Sequence, residues 1–101
     1  MCFILEYDFH ALRVGADIGL LLTEPGDSCG IAWFNSIGLD QTLGVVARDC
    51  AVGYYSFGHE IAHMFGAEHN REAKAVNNAY PNAHGFLMNP PVNSGYRTIM
   101  A

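Results

Sequence analysis

The densest concentration of reactive side chains lies mid-chain, in His59-Glu60-Ile61-Ala62-His63-Met64-Phe65-Gly66-Ala67-Glu68-His69. The pattern is H-E-x-x-H-x-x-G-x-x-H, and each specified position has a physical reason. His59 and His63 stand four residues apart, so on a helix both side chains leave the same face with Cβ atoms ~5–6 Å apart. Two imidazole nitrogens can then reach one ion at ~2.0–2.1 Å. Glu60 adjoins the first ligand and flanks the ion without having to bind it, where it can take a proton from a metal-bound water. Gly66 permits φ > 0 and ends the helix, so that the chain can double back and deliver His69 as a third nitrogen. A continued helix would instead rotate His69 about 240° past His63 and carry it ~9 Å along the axis.

Five matched positions of these types would arise by chance in on the order of 1 in 10,000 sequences of this composition. Three histidines with no fourth protein ligand leave one coordination position open, the mark of a catalytic rather than a structural zinc. Three imidazoles with an open position suit one Zn²⁺ ion, and the same set also accommodates cobalt or nickel.

The elements around the motif must position it. After Gly53 apolar residues recur at Phe57, Ile61, Met64 and Phe65, the period of a helix with one apolar face. It starts within residues 54–56 and stops at Gly66, the residue best suited to the left-handed turn past a helix end. Upstream, residues 16–23 form a near-continuous apolar run between Gly15 and the turn Glu24-Pro25-Gly26-Asp27, which reads as a strand buried on both faces. Residues 30–34 and 43–48 read as two further short strands, and residues before Gly15 as the tail of a helix. Downstream, a helical turn over 71–75 is followed by loops marked by Pro81, Pro90 and Pro91. Residues 96–100 then run to the end without a further element.

Composition bounds the rest. With 101 residues, half of them apolar and 15% charged, the chain can bury one core and is not intrinsically disordered. A net charge of −5 argues against nucleic acid or an anionic membrane as partner. No apolar run approaches the ~20 residues that span a bilayer, and the apolar start at residues 1–5 lacks the basic region of a signal peptide. Three cysteines, Cys2, Cys29 and Cys50, cannot all pair within one molecule, and none forms a C-x-x-C unit. Cys29 and Cys50 each end a predicted strand, and either a bridge or two buried free thiols is compatible with that placement.

The extended motif resembles that of the metzincin clan of zinc endopeptidases. Residues 15–100 are similar to bacterial reprolysin-like, adamalysin-related M12-type metallopeptidases, through Gly15-Ala16-Asp17, Cys29-Gly30-Ile31-Ala32, Val45-Val46-Ala47-Arg48-Asp49-Cys50 and the zinc helix. Tyr96-Arg97-Thr98-Ile99-Met100 resembles the family's Met-turn. The resemblance implies His59, His63 and His69 as zinc ligands, Glu60 as general base, Met100 beneath the imidazoles and a Cys29–Cys50 disulfide. It implies an α+β zincin-like fold: a twisted mixed sheet, the active-site helix and an irregular C-terminal part, with the cleft between. The strand at 30–34 would be the edge along which a peptide substrate adds. Family members usually carry Asp after the third histidine, where this chain has Asn70.

The expected function is zinc-dependent endopeptidase hydrolysis of peptides or proteins. The alternative is a non-catalytic zinc-binding fragment, since residues 1–101 match only part of a catalytic domain, without its upstream strands and C-terminal helix. A zincin of aminopeptidase type is disfavoured, because it draws its third ligand from a distant Glu. The family is mainly secreted, which implies an extracellular location. Outside the motif, His10, His84 and Glu68 read as structural or solvated, Met64 and Met88 as core filler, and Tyr54, Tyr55 and Tyr96 carry no assigned role.

Overall fold

The computed structural model describes residues 13–38, 42–88 and 95–101. The expectations for Cys2 and His10 lie outside them. Two β layers and two helices make up the described chain: β1 (Gly19–Thr23), β2 (Gly30–Ala32), β3 (Leu43–Ala47), α1 (Arg48–Ala51), α2 (Ser56–Met64), β4 (Leu87–Met88) and β5 (Tyr96–Arg97). The class is α+β with a mixed sheet. β3 lies in the centre, parallel to β1 with Leu21 opposite Val45, and antiparallel to β2 with Ile31 opposite Val45.

Arg13 and Val14 are helical, and Gly15 follows with φ +66°, in the left-handed region that closes a helix. The first strand is shorter than the apolar run suggests, and it is not buried on both faces: Leu21 and Leu22 are 39% and 54% exposed. β1 occupies a sheet edge, and α2 packs on the other two strands, β2 and β3. β2 stops at Ala32, because the chain leaves the sheet to cap a helix. The N–H of Asn35 donates to His63 O, and those of Ser36 and Ile37 donate to Met64 O, at 2.8–3.2 Å. These bonds satisfy carbonyls that a helix end otherwise leaves unpaired. Trp33 and Phe34 are consequently exposed rather than packed in the sheet.

α2 docks on the sheet through Met64, which is fully buried with Val46. A Cβ on Gly44 would lie 2.8 Å from Leu20 Cδ2 and 2.9 Å from Met64 Cε, so the bare backbone of β3 lets the helix approach. The buried stripe of α2 is Ser56, Glu60 and Met64, and Phe57 and Phe65 are exposed. Apolar periodicity therefore placed Met64 inward correctly and Phe57 and Phe65 wrongly. Spacing of four puts Ser56, Glu60 and Met64 on one line, and the sheet accepts that line.

Past residue 70 the helical turn reduces to a hydrogen-bonded turn, with Ala73 and Lys74 N–H donating to Asn70 O. The C-terminal residues do form an element. β5 pairs antiparallel with β4, Leu87 opposite Arg97 and Met88 opposite Tyr96. Met88 is 41% exposed there and fills no core. A two-residue ladder depends on its partner, not on a periodic run of its own, so residues 96–97 carry no strand signal. None of the described helices is long and apolar enough to cross a membrane.

Candidate metal centre

α2 begins abruptly. Tyr55 precedes it with φ +59°, a left-handed conformation uncommon outside glycine, and its carbonyl accepts from His59 N–H at 3.0 Å. The helix ends on a Schellman arrangement: Gly66 N–H donates to His63 O and Ala67 N–H to Ala62 O, both at 2.9 Å, with Gly66 at φ +92°. The chain then reverses, and His69 returns toward the helix.

The three imidazoles converge. His69 Nε2 lies 3.0 Å from His59 Nε2 and 3.1 Å from His63 Nε2. Backbone carbonyls set the tautomers of two rings. His59 Nδ1–H donates to Ile99 O at 2.6 Å, and His63 Nδ1–H donates to Ala67 O at 2.8 Å. A carbonyl only accepts, so in the neutral ring each Nε2 is left with a bare lone pair. Both lone pairs face His69 Nε2 across about 3 Å, so that nitrogen must either carry a proton or share a cation with them. Nitrogens at ~2.0–2.1 Å from a tetrahedral ion would stand about 3.3 Å apart, so the donor set fits one metal ion.

Burial holds the pKa of His63 below its usual value, with the neighbouring histidines adding to the effect, against the Ala67 bond and Glu68. Burial and His59 lower that of His69, against Glu68. Both rings thus stay neutral and able to donate to a metal.

Glu60 is 5% exposed, and desolvation raises its pKa, partly offset by His59. Its carboxylate rests against β2, where a Cβ on Gly30 would lie 2.6 Å from Glu60 Oε1. Cys29, the residue before, is disulfide-bonded to Cys50 of α1. β2 is thereby tied to the segment leading into α2.

The turn at residues 98–101 borders the site opposite β2. Thr98 N–H donates to Phe86 O and Phe86 N–H to Thr98 Oγ1, which fixes the turn against the β4 approach. Met100 is buried, and its backbone presses on Gly85 so closely that no side chain fits at position 85.

Sequence reasoning missed one positioning residue, Asn77, and read the other, His84, as structural or solvated without naming its partner. His84 Nδ1–H donates to His69 O at 2.9 Å, while its Nε2 is buried without a hydrogen-bond partner. Buried Asn77 donates to Gly66 O and Ala83 O and accepts from the N–H groups of Ala79 and Tyr80. The only local signal was the Asn77-Asn78 pair in a loop, which is common in turns. Glu68 is half-buried beside the cleft, with its backbone bridged to residues 83–85. Asn70 is buried, and its side chain donates to Glu72 at 2.9 Å.

A cleft of about 490 Å³ opens over these groups, with β2 on one side and the 97–101 segment on the other.

Comparison with known proteins agrees with this centre. The model of metallo-peptidase family M12 matches residues 5–101. A peptidyl-Asp metalloendopeptidase of Stenotrophomonas maltophilia is 38% identical over 86 residues, 85% of this chain and 21% of that protein. One from Xanthomonas campestris pv. campestris is 33% identical over 86 residues, 85% of this chain and 20% of that protein. One from Pseudomonas fragi is 44% identical over 55 residues, 54% of this chain and 36% of that protein. The chain thus spans about a fifth of the length of the first of these relatives. No solved structure matches it significantly. A family match over nearly the whole chain, joined to three histidines that meet as a metallopeptidase requires, assigns this chain to metallo-peptidase family M12.

Proposed function

We propose that the chain is the zinc-binding part of an endopeptidase catalytic domain of metzincin type. The observation that carries the reading is the convergence of three Nε2 atoms beside a buried carboxylate. His59, His63 and His69 hold the ion. When bound, zinc supplies a Lewis acid that polarises the scissile carbonyl and acidifies water. Glu60 acts as general base: it takes the proton of the attacking water and passes it to the leaving amine. Its desolvated position suits that exchange, because a raised pKa brings the carboxyl closer to the operating pH. Nothing in the cleft resembles an activated serine or cysteine nucleophile, so hydrolysis is direct.

Met100, in the turn whose Ile99 carbonyl orients His59, takes the part of the Met-turn methionine. The edge of β2, which among the described residues pairs only with β3, receives the substrate backbone as an added strand. The relatives' name, peptidyl-Asp metalloendopeptidase, supports cleavage of peptide bonds next to an aspartate. The Cys29–Cys50 bridge fits an oxidising, extracellular location.

The test is Glu60→Ala in the full natural protein. Zinc stoichiometry should persist while peptide cleavage falls by about 10²–10⁴-fold. A variant that cleaves at the parent rate would rule out the mechanism.

A second reading, zinc binding without turnover by these 101 residues alone, is favoured by how little apolar surface the described residues bury. Val46 and Met64 are the fully buried large side chains among the described residues, while Ile31, Trp33 and Val52 are 71%, 53% and 82% exposed. Thermal melts with and without zinc, run beside a quenched-peptide assay, separate the two readings.

A further inference from the structure

The cleft that holds the three imidazoles carries two carboxylates in its walls, Glu60 and Glu68, and a single Arg or Lys, Arg97. A bound Zn²⁺ would offset both carboxylates, but it is committed to the reacting carbonyl and water, so a substrate aspartate beside the scissile bond needs a second cation to receive it. The other four basic side chains lie elsewhere. Arg48 is paired with Glu24 and Asp49, Arg71 donates to Pro81 O, and neither Arg13 nor Lys74 lines the cleft.

Arg97 is exposed, and among the described residues no Asp or Glu side chain pairs with it. Its backbone is anchored by the β4–β5 ladder opposite Leu87. Its guanidinium is steadied by one bond, Nη1–H to Ala101 O at 2.7 Å. A guanidinium has five N–H donors in a planar fork. One carbonyl therefore fixes the direction of the group and leaves donors for a two-pronged bond to a carboxylate.

We infer that Arg97 is the specificity-determining residue of this site and receives the side-chain carboxylate of a substrate aspartate next to the scissile bond. The inference rests on the reading of the chain as part of an endopeptidase that acts beside aspartate, and names the group responsible. Arg97 takes no part in the bond-breaking step. It selects which peptide is seated over Glu60.

The experiment compares paired quenched peptides that differ only in Asp or Asn beside the scissile bond, on either side of it. They are presented to the full natural protein and to Arg97→Gln and Arg97→Lys. In the parent protein kcat/KM favours the Asp peptide. In Arg97→Gln that ratio collapses by on the order of 10- to 100-fold, the worth of a charge-assisted bond, and in Arg97→Lys it is retained in part. Loosening the 98–101 turn by loss of the Ala101 bond would slow both peptides alike and leave the ratio unmoved. A ratio unchanged in Arg97→Gln overturns the assignment while leaving the aspartate preference standing. A parent protein with no Asp preference overturns the aspartate reading and the assignment together.

Binding supplies a readout independent of turnover. Calorimetry on the metal-free protein with a short Asp peptide and its Asn twin should show tighter binding of the Asp form, abolished by Arg97→Gln. Equal affinities in the parent protein refute the inference even if cleavage is never seen.

Discussion

The carboxylate of Glu60 occupies the space that a side chain on residue 30 would need: a Cβ on Gly30 would lie 2.6 Å from Glu60 Oε1 and 2.9 Å from its Cδ and Cγ. The general-base candidate and the edge strand are therefore fitted to each other. Gly30→Ala should swing the carboxylate aside while leaving the three imidazoles in place. Since a displacement of ~1 Å can cost about 100-fold in rate, kcat should fall roughly 10- to 100-fold. Steady-state kinetics beside zinc analysis by atomic absorption checks this, and parental kcat would contradict the packing argument.

Gly66→Ala should be costly for two separate reasons. Residue 66 sits at φ +92°, and an added Cβ would lie 2.6 Å from the Tyr80 ring and 3.0 Å from Asn35 Oδ1. Left-handed strain alone is worth about 1–3 kcal/mol. Thermal melting should drop, and competition with a chelator should show weaker zinc affinity, because His69 reaches the site through this reversal.

Stability of the metal-free protein should depend on pH through the imidazoles. His63 and His69 are held below the ordinary value by burial, so the unfolded chain takes up protons first as pH falls through ~6.5. Their contribution is present above that value and is lost as pH descends toward the depressed folded values. Glu60 has the opposite sign. Its raised pKa lets the folded state keep a proton longer, so its desolvation costs stability as pH rises from the ordinary carboxylate range through the folded value. Urea unfolding at steps from about pH 7.5 to 5.5 should show stability falling, and His69→Asn should flatten the slope. A parent profile already flat would contradict it.

His84 should matter although it binds no metal. Its Nδ1–H holds His69 O at 2.9 Å, a bond to the backbone that carries the ligand, and losing such a bond costs about 0.5–1.5 kcal/mol. His84→Ala should weaken zinc binding by that order. His84→Asn, which can place an amide N–H near the same point, should recover part of the loss. Chelator competition on the parent and both variants reads this directly, and unchanged affinity in His84→Ala would contradict the role.

The meeting of His59, His63 and His69 was legible in eleven consecutive residues because it depends on local geometry. A helical repeat aligns the first two, and one residue with φ > 0 returns the third. The same local logic located the end of α2 at Gly66 and the existence of β1 and β3. Charge and composition, read without any fold, pointed away from nucleic acid.

What surrounds the imidazoles came only from tertiary structure. The carbonyl that orients His59 belongs to Ile99, 40 residues away. The seat of Glu60 is Gly30, and the brace behind His69 is His84. Apolar periodicity rightly pointed to Met64 as inward but also to Phe57 and Phe65, whereas the other buried residues of α2 are Ser56 and Glu60. The reason is physical: pitch and backbone dihedrals are set by neighbours along the chain. Burial and hydrogen-bond partners are set by whichever element the topology lays alongside, and no short stretch of residues records that.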